Sequence, residues 1–69
     1  MRRRFVESSS VRTVGYDLRT RTLELEYLSG DVYQYFDVPQ PVYAGLMAAP
    51  SVGNYVNLRI KPHYEVAEV

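Results

Sequence analysis

Between Thr22 and Val38 the chain runs Thr-Leu-Glu-Leu-Glu-Tyr-Leu-Ser-Gly-Asp-Val-Tyr-Gln-Tyr-Phe-Asp-Val, and this stretch constrains the fold most. Leu23, Leu25 and Tyr27 alternate with Glu24 and Glu26; Tyr33 and Tyr35 alternate with Val32, Gln34 and Phe36. Side chains two apart on a strand share a face, so both runs predict strands folded back around Gly30. The loop decides the register. A two-residue Ser29-Gly30 turn would set Leu25 against Gln34 and put Tyr33 on the face of Glu26. A three-residue Leu28-Ser29-Gly30 loop, its glycine in the left-handed region, sets Leu25 against Tyr33 and Leu23 against Tyr35. That choice gathers leucines and tyrosines on one face and leaves Glu24, Glu26, Val32, Gln34 and Phe36 on the other. A slip of one residue would turn a whole strand inside out, so the three-residue loop is expected.

The remaining elements are arranged around this hairpin. Val11 to Tyr16 predicts an earlier strand with Val14 and Tyr16 facing the core, and Gly15 marks a bulge or a close backbone approach. Asp17 to Arg21 is the polar loop between them. After Val38-Pro39, Val42, Tyr43, Leu46 and Met47 recur at helical spacing, which predicts a helix over Gln40–Ala48 with proline in its first turn. Gly45 inside it costs about 1 kcal/mol relative to alanine. Ala49-Pro50 stops it, and Ser51 is placed to cap a second helix from Val52 to about Leu58. Val52, Tyr55 and Val56 would face inward, with Ile60 packing just beyond. Pro62 to Val66 returns as an extended segment. The expected fold is α+β, a three-stranded antiparallel β-meander with two short helices packed on one face. Residues 1–7, carrying Arg2, Arg3 and Arg4, are expected to form a flexible basic arm ahead of a single domain over 8–66.

The 69 residues suffice for one small domain, whose net stability is only ~3–5 kcal/mol. There is no cysteine, hence no disulfide framework and no thiolate metal site. No apolar run reaches the length of a membrane span, and a cytoplasmic monomer is expected. Eight basic residues balance eight acidic ones, which argues against a strong general nucleic-acid binder relying on many phosphate contacts. Seven tyrosines are many for this length; a large apolar body with a polar tip suits a thin core whose rim stays wet.

Several of these residues together resemble the KTSC domain, a small module at the C-terminus of some lysyl-tRNA synthetases that also occurs as a free-standing bacterial or phage protein. The resemblance runs through Ser9-Ser10, Val14 to Asp17, Thr22-Leu23, Gly30, Tyr33-Gln34-Tyr35, Val38-Pro39, Ser51 to Asn57, Ile60-Lys61 and Tyr64. Its most specific pieces are the tyrosine pair, Tyr33 and Tyr35, and the Ser-x-Gly-x-Tyr-x-Asn run. Leu58-Arg59 stands where members often carry a more polar or basic pair. The resemblance implies the α+β fold and, through the synthetase context, contact with RNA.

Sites for chemistry are few. His63 is the only histidine and is expected to be solvated, and no second ligand marks a metal site. No serine is paired with a positioned base, and no phosphate-binding glycine motif occurs, so neither an enzyme nor a cofactor is expected. Tyr33 and Tyr35 are assigned to the core by the register, the alternative being a stacking platform for the bases of a single-stranded nucleic acid. Ser51, Gly53, Asn57, Arg59 and Lys61 form the candidate anion or nucleic-acid surface, a capped helix start followed by two cations. The alternative is that serine caps, glycine permits close packing and the charges are solvated. Two functions follow: weak RNA or DNA binding through the second helix and its basic follow-on, or a protein-interaction or structural module. The second would use the outer sheet face around Val32 and Phe36, or an edge strand.

Overall fold

The computed structural model describes residues 1–69. Strands β1 (Arg3–Phe5), β2 (Val11–Asp17), β3 (Thr22–Tyr27) and β4 (Val32–Tyr35) are followed by helices α1 (Gln40–Ala48) and α2 (Val52–Tyr55). A π-helical turn over Val56–Ile60 continues α2, and β5 (Val66–Glu68) ends the chain's regular structure. All five strands pair antiparallel in the order β1-β2-β3-β4-β5, so the helices are an excursion between two neighbouring strands. No helix is long and apolar enough to cross a membrane.

This corrects the expected three-stranded meander. The segment expected to fray supplies β1. The extended return expected over Pro62–Val66 is instead a turn through Tyr64, with His63 N–H and Tyr64 N–H donating to Ile60 O, and β5 begins only at Val66. Each of these two strands is three residues long with every side chain exposed, so neither carries the alternation of buried and polar positions that reveals a strand. Both are held by ladder bonds to neighbours already in place. Phe36 N–H donates to Glu65 O at 3.0 Å and Val69 N–H to Val32 O at 2.8 Å, bracketing β5.

The hairpin has the expected register, with Leu25 opposite Tyr33 and Leu23 opposite Tyr35. Tyr27 N–H donates to Asp31 O at 2.9 Å and Gly30 N–H to Tyr27 O at 2.9 Å, closing the three-residue loop. Gly30 has φ +97°. A β-branched residue is strained there, so Gly30→Val should lower stability by at least ~1 kcal/mol in urea titration. An unchanged midpoint would mean the loop adopts another turn at no cost.

The irregularity in β2 lies at Arg12, where the pairing with β3 shifts between Val11 and Thr13. Gly15 is instead the close approach: a Cβ there would lie 2.7 Å from Arg3 Cγ, so glycine lets Arg3 cross the outer sheet face. Arg3 Nε then reaches Glu24 Oε2 at 3.3 Å, Gln34 Nε2 donates to Glu24 Oε1 at 2.8 Å, and Thr13 Oγ1 donates to Glu26 Oε1 at 2.9 Å. That face is a polar network, with Val32 and Phe36 at one corner.

The opposite face carries the core: Val11, Val14, Leu23, Leu25 and Tyr35 from the sheet meet Val38, Leu46, Val52, Val56 and Ile60. Gly45 has a packing reason. A Cβ would lie 3.2 Å from Tyr55 Cζ and closer still to its hydroxyl oxygen, and that hydroxyl donates to Val42 O at 3.2 Å. Tyr16 and Tyr43 stack with ring centroids 4.7 Å apart, joining the sheet to α1. After α2 the ladder widens: Lys61 N–H donates to Val56 O at 2.9 Å, across five residues. The wider turn carries Val56 and Ile60, both buried, on one face, as residues four apart on a helix lie. It also fixes the direction in which Lys61 leaves the helix.

Candidate nucleic-acid interface

Tyr27, Tyr33 and Tyr35 share the helix-bearing face of the sheet because the hairpin register puts them there. They differ in depth. Tyr35 is buried at 3 % exposure, while Tyr27 and Tyr33 lie at the rim of the core, partly exposed. Their rings meet edge to face, centroids 5.6 Å apart. The Tyr27 and Tyr35 hydroxyls lie 3.4 Å apart. Lys61, directed by the π turn, hangs its ammonium over the Tyr27 ring at 5.7 Å from the centroid, within the range of a cation–π contact. With Val66 of β5 these residues line a cavity of about 330 Å³. Its continuation past Tyr27, Tyr33 and Lys61 is walled by Ser9, Ser10, Ser29 and Asp31.

Electrostatics set what this groove accepts. Burial pushes the Tyr27 phenol well above the usual tyrosine range, reinforced by the hydrogen bond to Tyr35 and by the charges of Tyr35 and Tyr33. Tyr33 is raised chiefly by the Glu68 carboxylate, then by partial desolvation, then by Asp31 and Tyr35. Both phenols therefore stay protonated and able to donate at neutral pH. Lys61 is the one cation of the groove, and Glu68 and Asp31 stand at its margins.

A raised folded-state value means the folded protein holds its proton more tightly than the unfolded chain. The Tyr27 contribution is complete below about pH 10, where an unfolded tyrosine ionises, and is lost as pH climbs further. The urea midpoint should accordingly fall above ~pH 10, with Tyr27 phenolate appearing as the fold is lost. Ionisation of all seven tyrosines near pH 10 with the fold intact would contradict the burial of Tyr27.

The five residues expected at the second helix do not form one surface. Ser51 caps α2, its Oγ accepting from Asn54 N–H at 3.2 Å. Gly53 is covered, since a Cβ there would lie 2.9 Å from Ser10 Oγ. Ser51 and Arg59 line a separate cavity of about 290 Å³ with Pro50, Asn54, Tyr55 and Leu58. Asn57 is exposed and lines neither cavity, and Lys61 belongs to the tyrosine groove. Tyr27 was missed as a site residue, although the register that pairs Leu25 with Tyr33 already places it on the same face. His63 is exposed, its ring near Tyr64 at 6.4 Å, and no group of three or more acidic or histidine side chains is gathered for a metal ion.

Comparison with known proteins gives a consistent family. The model of the KTSC domain matches residues 7–64. An uncharacterised protein of Stutzerimonas stutzeri is 43% identical over 65 residues, covering 93% of this chain and 92% of its own length. A lysine–tRNA ligase of Nostoc punctiforme is 38% identical over 63 residues, which is 91% of this chain but 11% of the ligase. The crystal structure of a KTSC domain protein from Yersinia pestis superposes with a TM-score of 0.96 at 31% identity, covering 99% of this chain and 96% of that one. Family model, relatives and solved structure agree, and the chain belongs to the KTSC domain family.

Proposed function

We propose that this domain is a non-enzymatic module that holds a short stretch of single-stranded RNA in the groove of Tyr27, Tyr33 and Lys61. The observation that carries this reading is the convergence of two rim tyrosines and one ammonium on a single groove. Single-stranded bases are bound by aromatic surface with a cation for the backbone. A cavity of about 330 Å³ is at the small end of ligand sites, which suits a nucleotide or two rather than a duplex. The serine hydroxyls of the continuation, Ser9, Ser10 and Ser29, offer neutral hydrogen bonds along the path of a strand. A relative named as a lysine–tRNA ligase carries a matching segment, and RNA is the ligand class consistent with that name.

Charge contributes little, because Glu68 and Asp31 oppose phosphate at the margins. Binding should be micromolar or weaker, with a salt slope near −0.7, the value of about one phosphate contact. Fluorescence titration with a short single-stranded RNA tests this. Tyr33→Leu, which keeps the apolar bulk but removes the ring, should weaken binding roughly 10-fold. Lys61→Ala should flatten the salt dependence. Unchanged affinity in Tyr33→Leu would sink the reading, and a slope steeper than about −2 would shift the contact to the arginines of β1.

A further inference from the structure

We propose that copies of this chain associate head to tail, the free edge of β1 in one copy pairing with the free edge of β5 in the next. The ladders show which backbone groups are available. Val6 N–H donates to Arg12 O at 3.1 Å, so by antiparallel alternation Arg4 also bonds inward while Arg3 and Phe5 turn their N–H and C=O groups away from β2. On the other edge, Glu65 and Val69 bond to β4, which leaves Val66 and Glu68 directed outward by the same alternation. Each edge thus presents two donors and two acceptors at the same spacing.

Side chains select the pairing. The β1 edge carries Arg2, Arg3 and Arg4, and the β5 edge carries Glu65 and Glu68. Pairing β1 with a second β1 would bring arginines together, and pairing β5 with a second β5 would bring glutamates together; both are disfavoured. Antiparallel pairing of β1 with β5 sets Arg3 opposite Glu68 and Phe5 opposite Val66. Phe5 is 81 % exposed and Val66 50 % within one copy, so the second pair covers apolar surface as the first joins opposite charges. Arg3 and Phe5 project from the outer face and Val66 and Glu68 from the helix-bearing face. Successive copies therefore carry their helices on alternate sides of the joined sheet, which keeps neighbouring helices apart. Such a contact uses different surfaces on each copy and does not close by itself.

Sedimentation of the full chain over a concentration series at low and high salt tests the proposal. The weight-average mass should rise with concentration and fall with added salt. Phe5→Pro and Glu68→Pro each remove one outward N–H and no bond within the chain, a placement edge strands tolerate. Each variant alone should remain a monomer. Mixed in equal amounts they should form a dimer and nothing larger, because one keeps its β5 edge and the other its β1 edge. Phe5→Glu and Glu68→Arg, on exposed side chains, each set like charge against the partner edge and serve the same comparison if a proline variant loses its fold. A wild-type chain that stays monomeric at submillimolar concentration would overturn the proposal. So would folded variants that associate alone, or a mixture of folded variants that remains monomeric.

Discussion

Tyr35→Ala is expected to leave the chain largely unfolded at room temperature. The ring is 3 % exposed and sits opposite Leu23 in the ladder, within the cluster joining sheet and helices. Truncating a buried aromatic to alanine costs about 3–5 kcal/mol, because transfer free energy is lost and a cavity remains. A domain of this size has only ~3–5 kcal/mol in total. Tyr35→Phe separates the two parts of the side chain: it keeps the ring and gives up a contact to the Tyr27 hydroxyl that is already long at 3.4 Å, so it should cost less than about 1 kcal/mol. Circular dichroism and urea titration of both variants check the pair. A folded Tyr35→Ala with a near-normal midpoint would show that the core does not depend on this ring.

Leu46→Ala should cost about 3 kcal/mol, by a different route. Leu46 is the one fully buried side chain of α1. The helix has nine residues, no side-chain cap at its start and no acidic residue in its first turn. A helix so short does not persist in water without tertiary packing. Removing Leu46 therefore loosens the whole of α1, including the stack of Tyr43 on Tyr16 and the bond from Tyr55 to Val42 O. Amide hydrogen exchange should show α1 losing protection ahead of β2 and β3. Uniform loss of protection across the domain would mean that α1 and the sheet unfold as one unit.

The two mutations touch the parts of the fold most legible in the sequence. The hairpin was legible because one face is buried, so each apolar residue votes on the register. Helix α1 was legible to its ends because proline stands at each boundary and leucine, methionine and tyrosine recur between them. The edge strands were not. Three exposed residues such as Arg3–Phe5 bury nothing, and their pairing with Thr13 to Gly15 depends on contacts remote in sequence. The site was half legible for a related reason. Tyr27, Tyr33 and Tyr35 converge by strand alternation, which is local. Lys61 joins them only because the turn at Val56–Ile60 widens, and nothing in Val-Asn-Leu-Arg-Ile announces a bond over five residues. Two apart in sequence, Arg59 and Lys61 looked like one basic surface; residues at that spacing lie on different sides of a helical turn, and the two line separate cavities. Gly53 looked like an exposed helix start and is instead where Ser10 packs.

The central claim is that the tyrosine–lysine groove, and not the start of the second helix, contacts RNA. Titration of the ¹⁵N-labelled chain with a short single-stranded RNA at low salt, followed by amide chemical shifts, tests it most directly. Shifts concentrated at Ser10, Tyr27, Ser29, Tyr33 and Lys61, with Asn54 and Arg59 unmoved, are the predicted result. Shifts centred on Ser51, Asn54 and Arg59, or none at millimolar RNA, would contradict it.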